Sequence, residues 1–229
     1  MTPKGEHTRA QLLASALGLF RARGYDATSM RDIAADAGMS LGASYHYFES
    51  KEALVAAWYA EIQTRHEAAV AALTLPEGVG PRLRAILDLK LDLVLPERRL
   101  LGALFRYAAD PEHPLSTFSP ASAALRARAQ ATLGRALEGV TLPEDQRELL
   151  TSALWLAHLG LLLHALHDAS EGTARTRALA VLLADLAGQG VALAGGPLGA
   201  LALGALTLRL RQLRDIPDAG AASAAQVQP

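Results

Sequence analysis

Residues 38–51 read "GMSLGASYHYFESK" and differ from the rest of the chain. The stretch holds two glycines, three serines and four aromatic or imidazole rings, and its only formal charges are Glu49 and Lys51. The rest of the chain is rich in alanine and leucine, which favour helices. A short helix over this stretch has a surface of small, polar and aromatic side chains instead of a hydrophobic stripe of normal width.

The residues before this stretch predict two helices and a tight turn. Hydrophobic residues recur at helical spacing over residues 7–23, and Gly24 is a typical residue to end that helix. Thr28 or Ser29 can cap a second, short helix. Gly38 then stops it, because glycine readily adopts the left-handed conformation that such a turn needs.

A third helix is predicted from its cap, Ser40, to about Tyr47, so residues 28–47 have the form helix, turn, helix. A helix with small side chains can approach closely in the major groove of DNA, where a few donors contact phosphates or base edges. Lys51 begins the next helix, where its ammonium and the helix N-terminal N–H groups can share one phosphate. The alternative interpretation of this pattern is an ordinary helical hairpin with a glycine turn.

The remainder of the chain also predicts helices, so the fold class is all-α. A fourth helix, capped by Ser50, runs to about Leu73 and is followed by the break "TLPEGVGP". Five further helices are predicted at residues 81–95, 97–109, 120–138, 143–168 and 173–194. We predict three regions: a helix-turn-helix domain over residues 1–52, a larger helical domain over 53–216, and a disordered tail over 217–229.

Composition and charge limit the functional classes. The 229 residues contain no cysteine and carry a net charge of −1, and residues 1–51 hold six Lys/Arg against five Asp/Glu. DNA binding must therefore depend on a few well-placed donors and not on a broad basic patch. The N-terminus has no apolar signal core, so we expect a cytoplasmic protein. The sequence has no Gly-x-Ser-x-Gly motif and no glycine-rich loop after a strand, so we expect neither an enzyme nor a bound cofactor or metal.

The C-terminal helices predict either a subunit interface or a membrane segment. Residues 149–163 are apolar on nearly all sides, which is typical of a buried helix. The helices at 143–168 and 173–194 are therefore the expected dimer interface. Residues 186–208 carry no charge and are long enough to cross a bilayer, but "AGGPLG" at 194–199 favours two separate helices and no membrane contact.

The stretch "TSMRDIAADAGMSLGASYHYFESKEAL", residues 28–54, resembles the DNA-binding signature of the TetR family of transcriptional regulators. The preceding "FRARGYDATSM" is also similar to the family pattern, and the resemblance covers about the first 60 residues. The matching positions are Thr28, Ile33, Ala34, Ala37, Gly38, Ser40, Gly42, Tyr45, Phe48, Ser50, Lys51, Glu52 and Leu54.

The resemblance implies a set of DNA-contacting residues. Thr28 and Ser29 match positions that contact phosphates, and Lys51 matches a lysine that clamps a phosphate. The remaining candidates lie at the start and on the exposed face of the recognition helix: Ser40, Leu41, Gly42, Ala43, Tyr45 and His46. Leu41 and Ala43 replace polar or charged residues of many members, so readout would depend on van der Waals contact, on His46 and on DNA shape.

The resemblance further implies a ligand-responsive regulator, usually a repressor, that binds a pseudo-palindromic operator in double-stranded DNA as a homodimer. A largely apolar small-molecule effector would release it. Two alternatives remain open: a helical small-molecule-binding protein without operator binding, and a membrane-attached helical protein. Repression and activation are not distinguished by the sequence.

Two groups of residues in the larger domain are candidate ligand sites. Phe105, Tyr107, Trp155 and His158 can line an apolar effector pocket between helices, with plain core packing as the alternative. A second group, in one predicted helix, consists of His158, His164, His167 and Asp168. Its spacing can hold a metal, but pocket lining or local pairing with Asp168 and Arg175 is favoured.

Overall fold

The computed structural model describes residues 2–113 and 115–214, and this part of the chain forms helices and loops without a β-strand. The all-α prediction is confirmed. The ten α-helices are α1 (Pro3–Arg23), α2 (Met30–Asp36), α3 (Leu41–Tyr47), α4 (Lys51–Ala72), α5 (Val79–Val94), α6 (Arg98–Ala108), α7 (Ala123–Gly134), α8 (Glu144–His167), α9 (Ala174–Ala194) and α10 (Pro197–Arg214).

Serine caps determine where the first short helices begin. Ser29 caps α2: its hydroxyl accepts the Asp32 N–H at 3.2 Å, and the Asp32 carboxylate accepts the Ser29 N–H at 2.8 Å. Ser40 and Ser50 each accept the N–H three residues further on, also at 3.2 Å. The cap of α2 is therefore Ser29, and not Thr28, because only Ser29 faces the free N–H groups of that helix.

The first three helices and the start of α4 enclose a small core. Leu12, Ile33 and Leu54 have no exposed surface, and Phe48 is also buried. Tyr47, by contrast, is only half-buried. The turn between α2 and α3 passes through Gly38 with φ of 70°, which is a left-handed conformation that favours glycine. This core fixes α3 against α2 and leaves the opposite side of α3 at the surface.

The helix α4 runs without interruption from this core into the rest of the molecule. The predicted boundary after residue 52 falls in its first turn, so the division into two domains stays a prediction. Two ion pairs also join the N-terminal helices to the α6 region. Arg21 Nε lies 2.7 Å from the Glu97 carboxylate, and Arg106 Nη1 lies 2.8 Å from that of Asp26.

In the larger region, α5 and α9 approach so closely that their backbones touch. A Cβ atom added at Gly188 would lie 3.1 Å from the backbone nitrogen of Gly80, and one added at Gly80 would lie 3.0 Å from the carbonyl oxygen of Ala184. Only glycine lets two helices meet at this distance. The crossing therefore holds α9 at one position along α5.

A buried carboxylate joins the end of α8 to the start of α9. Asp168 accepts the N–H of Ser170 at 2.9 Å and the N–H of Thr176 at 2.8 Å, and these serine and threonine hydroxyls donate to it as well. The hydrogen bonds from Ser170 and Thr176 hold the pKa of Asp168 well below its usual range. His164 belongs to the same network, because its Nδ1 lies 3.1 Å from the Thr176 hydroxyl.

The predicted histidine cluster is therefore divided between different surroundings. His164 contacts the Asp168 network, whereas His158 is buried elsewhere among apolar residues. Within residues 2–113 and 115–214, no group of three His, Cys, Asp or Glu side chains is placed to hold a metal ion.

The uncharged stretch 186–208 is broken as predicted, because α9 ends at Ala194 and α10 begins at Pro197. Two segments, Glu144–His167 and Glu171–Ala194, are long and apolar enough to cross a membrane by length and composition. Core helices meet the same criterion, so this finding is weak support for a membrane protein. The predicted tail, 217–229, lies outside the described residues.

Candidate nucleic-acid interface and adjoining cavity

The exposed face of α3 is made of small side chains and two rings. Gly42, Ala43, Tyr45 and His46 are exposed, and Tyr45 retains 47% of its surface. Ser44 lies on the inner side, fully buried, and its hydroxyl donates to the Leu41 carbonyl at 2.8 Å. A second chain of suitable shape can therefore approach the α3 backbone closely at Gly42 and Ala43.

The other predicted DNA contacts on α2 and α3 differ in how exposed their side chains are. Ser40 is exposed while it caps α3, and Leu41 is half-buried. Ser29 is exposed at the N-terminus of α2. Arg31, two residues later, is also exposed and was not among the predicted contacts. As the only cation of α2, it could have been identified from the sequence as a candidate phosphate contact.

The prediction that Thr28 contacts a phosphate disagrees with the structure. Its side chain is 1% exposed, and its hydroxyl donates to the Gly24 carbonyl at 2.8 Å. The hydroxyl closes the turn between α1 and α2, which leaves it no free surface toward a ligand. The neighbouring Ser29 is the exposed hydroxyl at this end of α2.

Lys51 is held against the end of α1. Its Nζ donates to the Tyr25 carbonyl at 2.9 Å and lies 4.3 Å from the centre of the Tyr25 ring. The Tyr25 hydroxyl in turn donates to Glu52 at 2.7 Å. An ammonium has three donors, so Lys51 can keep its bond to Tyr25 and still donate to a phosphate.

A cavity of about 130 Å³ lies between α4, α6, α7 and α8. Phe105 and Trp155 line it. Tyr107 does not, which corrects the predicted pocket, and His158 is buried outside the lining. Tyr107 is stacked on His113 with 4.1 Å between ring centres. The lining also includes Ala56, Tyr59, Leu104, Ala108, Leu115, Thr117, Ser122, Leu125, Arg126, Ala129 and Leu159.

A buried polar cluster lies beside this cavity, and sequence reasoning missed it. Lys90 of α5 is 1% exposed and donates to the Gln63 side-chain oxygen at 2.8 Å. The Gln63 amide nitrogen donates to Thr132 and to Glu67, each at 3.1 Å. In the sequence, Lys90 belongs to "LDLKLDL", where alternating charges suggest a solvated face.

Comparison with known families gives two matches along the chain. Residues 12–58 match a model described as bacterial regulatory proteins, tetR family. Residues 82–200, more than half of the chain, match a model described as tetracyclin repressor-like, C-terminal domain. Together the two matches cover the helix-turn-helix, the cavity region and the start of α10.

Curated relatives are similar over the N-terminal region. The chain is 47% identical over 64 residues to the HTH-type transcriptional dual regulator CecR of Shigella flexneri, which is 27% of this chain and 28% of that protein. It is 51% identical over 47 residues to the HTH-type transcriptional repressor KstR2 of Rhodococcus jostii, which is 20% of this chain and 23% of that protein. The chain thus spans about a quarter of the length of these curated relatives.

Solved structures are similar over most of the chain. FadR of Thermus thermophilus, a TetR-family transcriptional repressor solved in complex with lauroyl-CoA, superposes with a TM-score of 0.60 and 20% identity. The superposition covers 82% of this chain and 95% of that chain. At 20% identity this similarity shows a shared fold and nothing beyond the fold.

Proposed function

Because the chain belongs to the TetR family of bacterial transcriptional regulators, we propose that it represses transcription as a homodimer bound to a pseudo-palindromic DNA operator, and that a small-molecule effector releases it. The observation that carries the proposal is the exposed face of α3, where Gly42 and Ala43 permit close approach and Tyr45 and His46 supply donors. Residues 1–52 would bind DNA in the cytoplasm, and residues 53–216 would bind effector and the second subunit.

Because α3 is short, we expect two subunits to bind the operator together. Seven residues make few contacts, so one subunit alone would bind weakly. Two α3 helices held about 34–36 Å apart would enter successive major grooves on one face of the duplex. Ser29, Ser40, Arg31 and Lys51 would then contact phosphates on either side.

The surface of α8 and α9 supports this dimer. Leu156 and Leu163 of α8 and Leu182 and Leu186 of α9 are about half exposed. Leu186 also lines a groove between the two helices, together with Leu154 and Leu183. Exposed leucines beside an apolar groove are typical of a subunit interface.

Selection of bound fragments from genomic DNA tests the proposal directly. We expect purified protein to enrich a short inverted repeat, and Tyr45→Ala to lose that enrichment, because Tyr45 has the largest exposed ring on α3. Failure to enrich any repeat at moderate salt would contradict the proposal.

Lys51→Ala is expected to weaken binding to every DNA sequence by a similar factor. The slope of log Kd against log salt should fall by about one unit, because one phosphate contact releases about one counterion. Binding titrations on the operator and on unrelated DNA at several salt concentrations measure both effects. A loss confined to one base position of the operator would contradict the phosphate assignment.

The cavity supports an effector with an apolar body. Trp155, Phe105 and Leu159 supply a largely apolar lining, and about 130 Å³ accommodates a small organic molecule or part of a larger one. One protein of similar fold, FadR of Thermus thermophilus, was solved with lauroyl-CoA. An acyl or aryl group is the ligand part that such a lining would favour.

The helix α4 would transmit the effector signal to DNA. Ala56 and Tyr59 line the cavity, and the same helix continues to Lys51 beside the recognition helix. An effector that binds better to a conformation with wrongly spaced α3 helices lowers operator affinity by its preference for that conformation.

Replacement of Ala60 and Glu61 by glycine is expected to uncouple the two regions without changing the helical register of the buried Ile62 and Gln63. The effector should still bind the cavity, but operator release should be lost, because the glycines interrupt the rigid helix. Effector titrations followed by Trp155 fluorescence and by operator binding separate the two properties. Release at the normal effector concentration would contradict the role of α4.

A further inference from the structure

His158 is a buried imidazole without a hydrogen-bond partner. It is 1% exposed, and neither of its ring nitrogens has a partner in the structure. A neutral imidazole has one donor and one acceptor, and leaving both unmet in an apolar interior costs free energy. A group of this kind suggests that a ligand atom fits beside it.

His66 and Lys90, whose charges act on His158, also have hydrogen-bonding atoms without a partner. His66 Nε2 lies 2.9 Å from the Ile86 carbonyl, so this nitrogen carries the proton, and His66 Nδ1 has no partner. The Lys90 ammonium has three donors, of which the bond to Gln63 uses one. Lys90 thus has two donors without a partner and the neutral His158 has one, so a carboxylate can accept from both residues, whereas the unprotonated His66 Nδ1 is an acceptor.

Burial controls the protonation of this cluster. Desolvation lowers the pKa of Lys90 to about 7 and, together with the nearby Lys90 charge, that of His66 to about 4. Burial likewise holds the pKa of His158 well below its usual value, with smaller contributions from Lys90 and His66. The titratable and charged groups that face Lys90 are Tyr59, His66 and Glu67 of α4, Arg128 of α7 and His158 of α8.

Two of these groups act on the Lys90 ammonium in opposite directions. Glu67 stabilises the ammonium but is itself paired with Arg128, whose Nη2 lies 2.6 Å from it. Arg128 in turn disfavours the ammonium. Lys90 therefore has no full counter-ion, and an added negative charge would be attracted strongly in this low-dielectric surrounding.

The cluster lies directly behind the cavity wall. The Lys90 Nζ is 5.4 Å from the centre of the Tyr59 ring, and Tyr59 lines the cavity. Trp155 and Leu159, also in the lining, flank His158 on α8. The Tyr59 ring thus adjoins both the cavity and Lys90, and the binding mode proposed below requires this ring to move.

We propose that the effector is an organic anion whose apolar body fills the cavity and whose carboxylate accepts hydrogen bonds from Lys90 and His158. This inference rests on the proposed regulatory function and specifies its effector class. The carboxylate supplies acceptors for the unpartnered donors of Lys90 and His158 and a negative charge beside Lys90, while the lining covers the hydrocarbon.

Arg126, the cation in the cavity lining, is the competing site for a carboxylate. Its Nη1 already donates to the Thr117 carbonyl at 2.8 Å and to the Ser122 hydroxyl at 3.3 Å, and the side chain is half-buried. Its donors are partly used and partly solvated, so a carboxylate gains less there than beside Lys90.

Binding of paired probes to the full-length protein tests the proposal. We use hexanoate, octanoate and benzoate against 1-hexanol, 1-octanol and benzyl alcohol, measured by calorimetry and Trp155 fluorescence. At least one carboxylate is expected to bind about tenfold tighter than its alcohol at pH 7. Equal or weaker binding of all three carboxylates overturns the proposal.

Substitutions test which residues cause the preference for carboxylates over alcohols. Lys90→Met and His158→Gln should each reduce the carboxylate-to-alcohol preference toward one, whereas Arg126→Gln should keep it. Loss of the preference only in Arg126→Gln would overturn the assignment to Lys90 and His158. Should Lys90→Met fail to fold, His158→Gln and the proton measurement below decide the question.

Carboxylate binding should take up a proton at pH 8. Lys90 is then mostly neutral, and a bound carboxylate raises its pKa, so uptake should approach about one proton per subunit. At pH 6 the ammonium is already present and the uptake should vanish. Calorimetry in buffers of different ionisation enthalpy measures this, and zero uptake at pH 8 would overturn the proposal.

Operator selection and probe binding test the proposed function and this inference separately. Operator selection is done without any carboxylate, so its failure concerns DNA binding alone. If the operator is bound but only neutral compounds release it, the regulator stands and the anionic effector is wrong.

Discussion

Gly42→Glu is expected to abolish operator binding and leave the fold intact. Gly42 lies on the exposed face of α3, and a Cβ atom there meets no atom within 4 Å, so the structure accommodates the larger side chain. Glutamate is also a better helix former than glycine. On DNA, however, the new carboxylate faces phosphates and base acceptors. Repulsion of several kcal/mol corresponds to at least about a 100-fold loss of affinity.

Gly18→Glu is the matched control for this variant. Gly18 also lies inside a helix of the same region, is exposed, and has open space for a Cβ atom. Both variants change net charge and helix propensity equally, so they should unfold at similar temperatures. Operator titrations in which Gly18→Glu binds within a few-fold of wild type, and Gly42→Glu does not, would confirm that α3 faces DNA. An equal loss in both would contradict it.

Leu186→Glu is expected to convert the dimer into monomers. Leu186 is 55% exposed and borders the apolar groove between α8 and α9. In a two-fold dimer the substitution occurs twice, so the lost burial of two leucines, each 55% exposed in its subunit, amounts to about 2–3 kcal/mol. The glutamates must also be desolvated. We expect the dimer dissociation constant to rise at least about 100-fold.

Light scattering after size-exclusion chromatography measures the subunit mass, and operator titration measures the consequence. The Leu186→Glu monomer should lose most of its operator affinity, because it carries only one α3 helix and binds only one half-site. Leu73→Glu is the control: Leu73 is 38% exposed but follows α4, outside the proposed interface. Monomers that bind the operator normally, or dissociation in both variants, would contradict the assigned surface.

Local rules allowed most of the fold to be predicted from the sequence. Ser40 and Ser50 cap helices in the structure as they do in the sequence prediction, because a cap depends on residues only three positions away. The same locality made Gly38 recognisable as a turn and the break after Ala194 recognisable as a helix end. These elements needed no knowledge of distant contacts.

The errors concern side chains whose surroundings come from other helices. Thr28 and Ser29 are both plausible caps in sequence, and only the position of Gly24 shows which hydroxyl is buried. Lys90 was not singled out from the sequence, because nothing in its own helix indicates that Gln63 of α4 covers it. Tyr107 was predicted in the pocket, yet His113 stacks on it from the following loop. Tertiary contacts of this kind have no periodic signal in the sequence.

The contact between Gly80 and Gly188 fixes α5 and α9 relative to each other. Two helices whose backbones touch cannot slide past each other without separating, and the Asp168 network fastens α8 to α9 at their shared end. In the proposed dimer, α5, α8 and α9 would therefore form the part of each subunit that stays fixed at the interface. The helices α4 and α6 contribute to the cavity wall and carry the links to the DNA-binding region, so they would form the part that an effector displaces. A ligand of a few ångströms would then move one part because the other stays still.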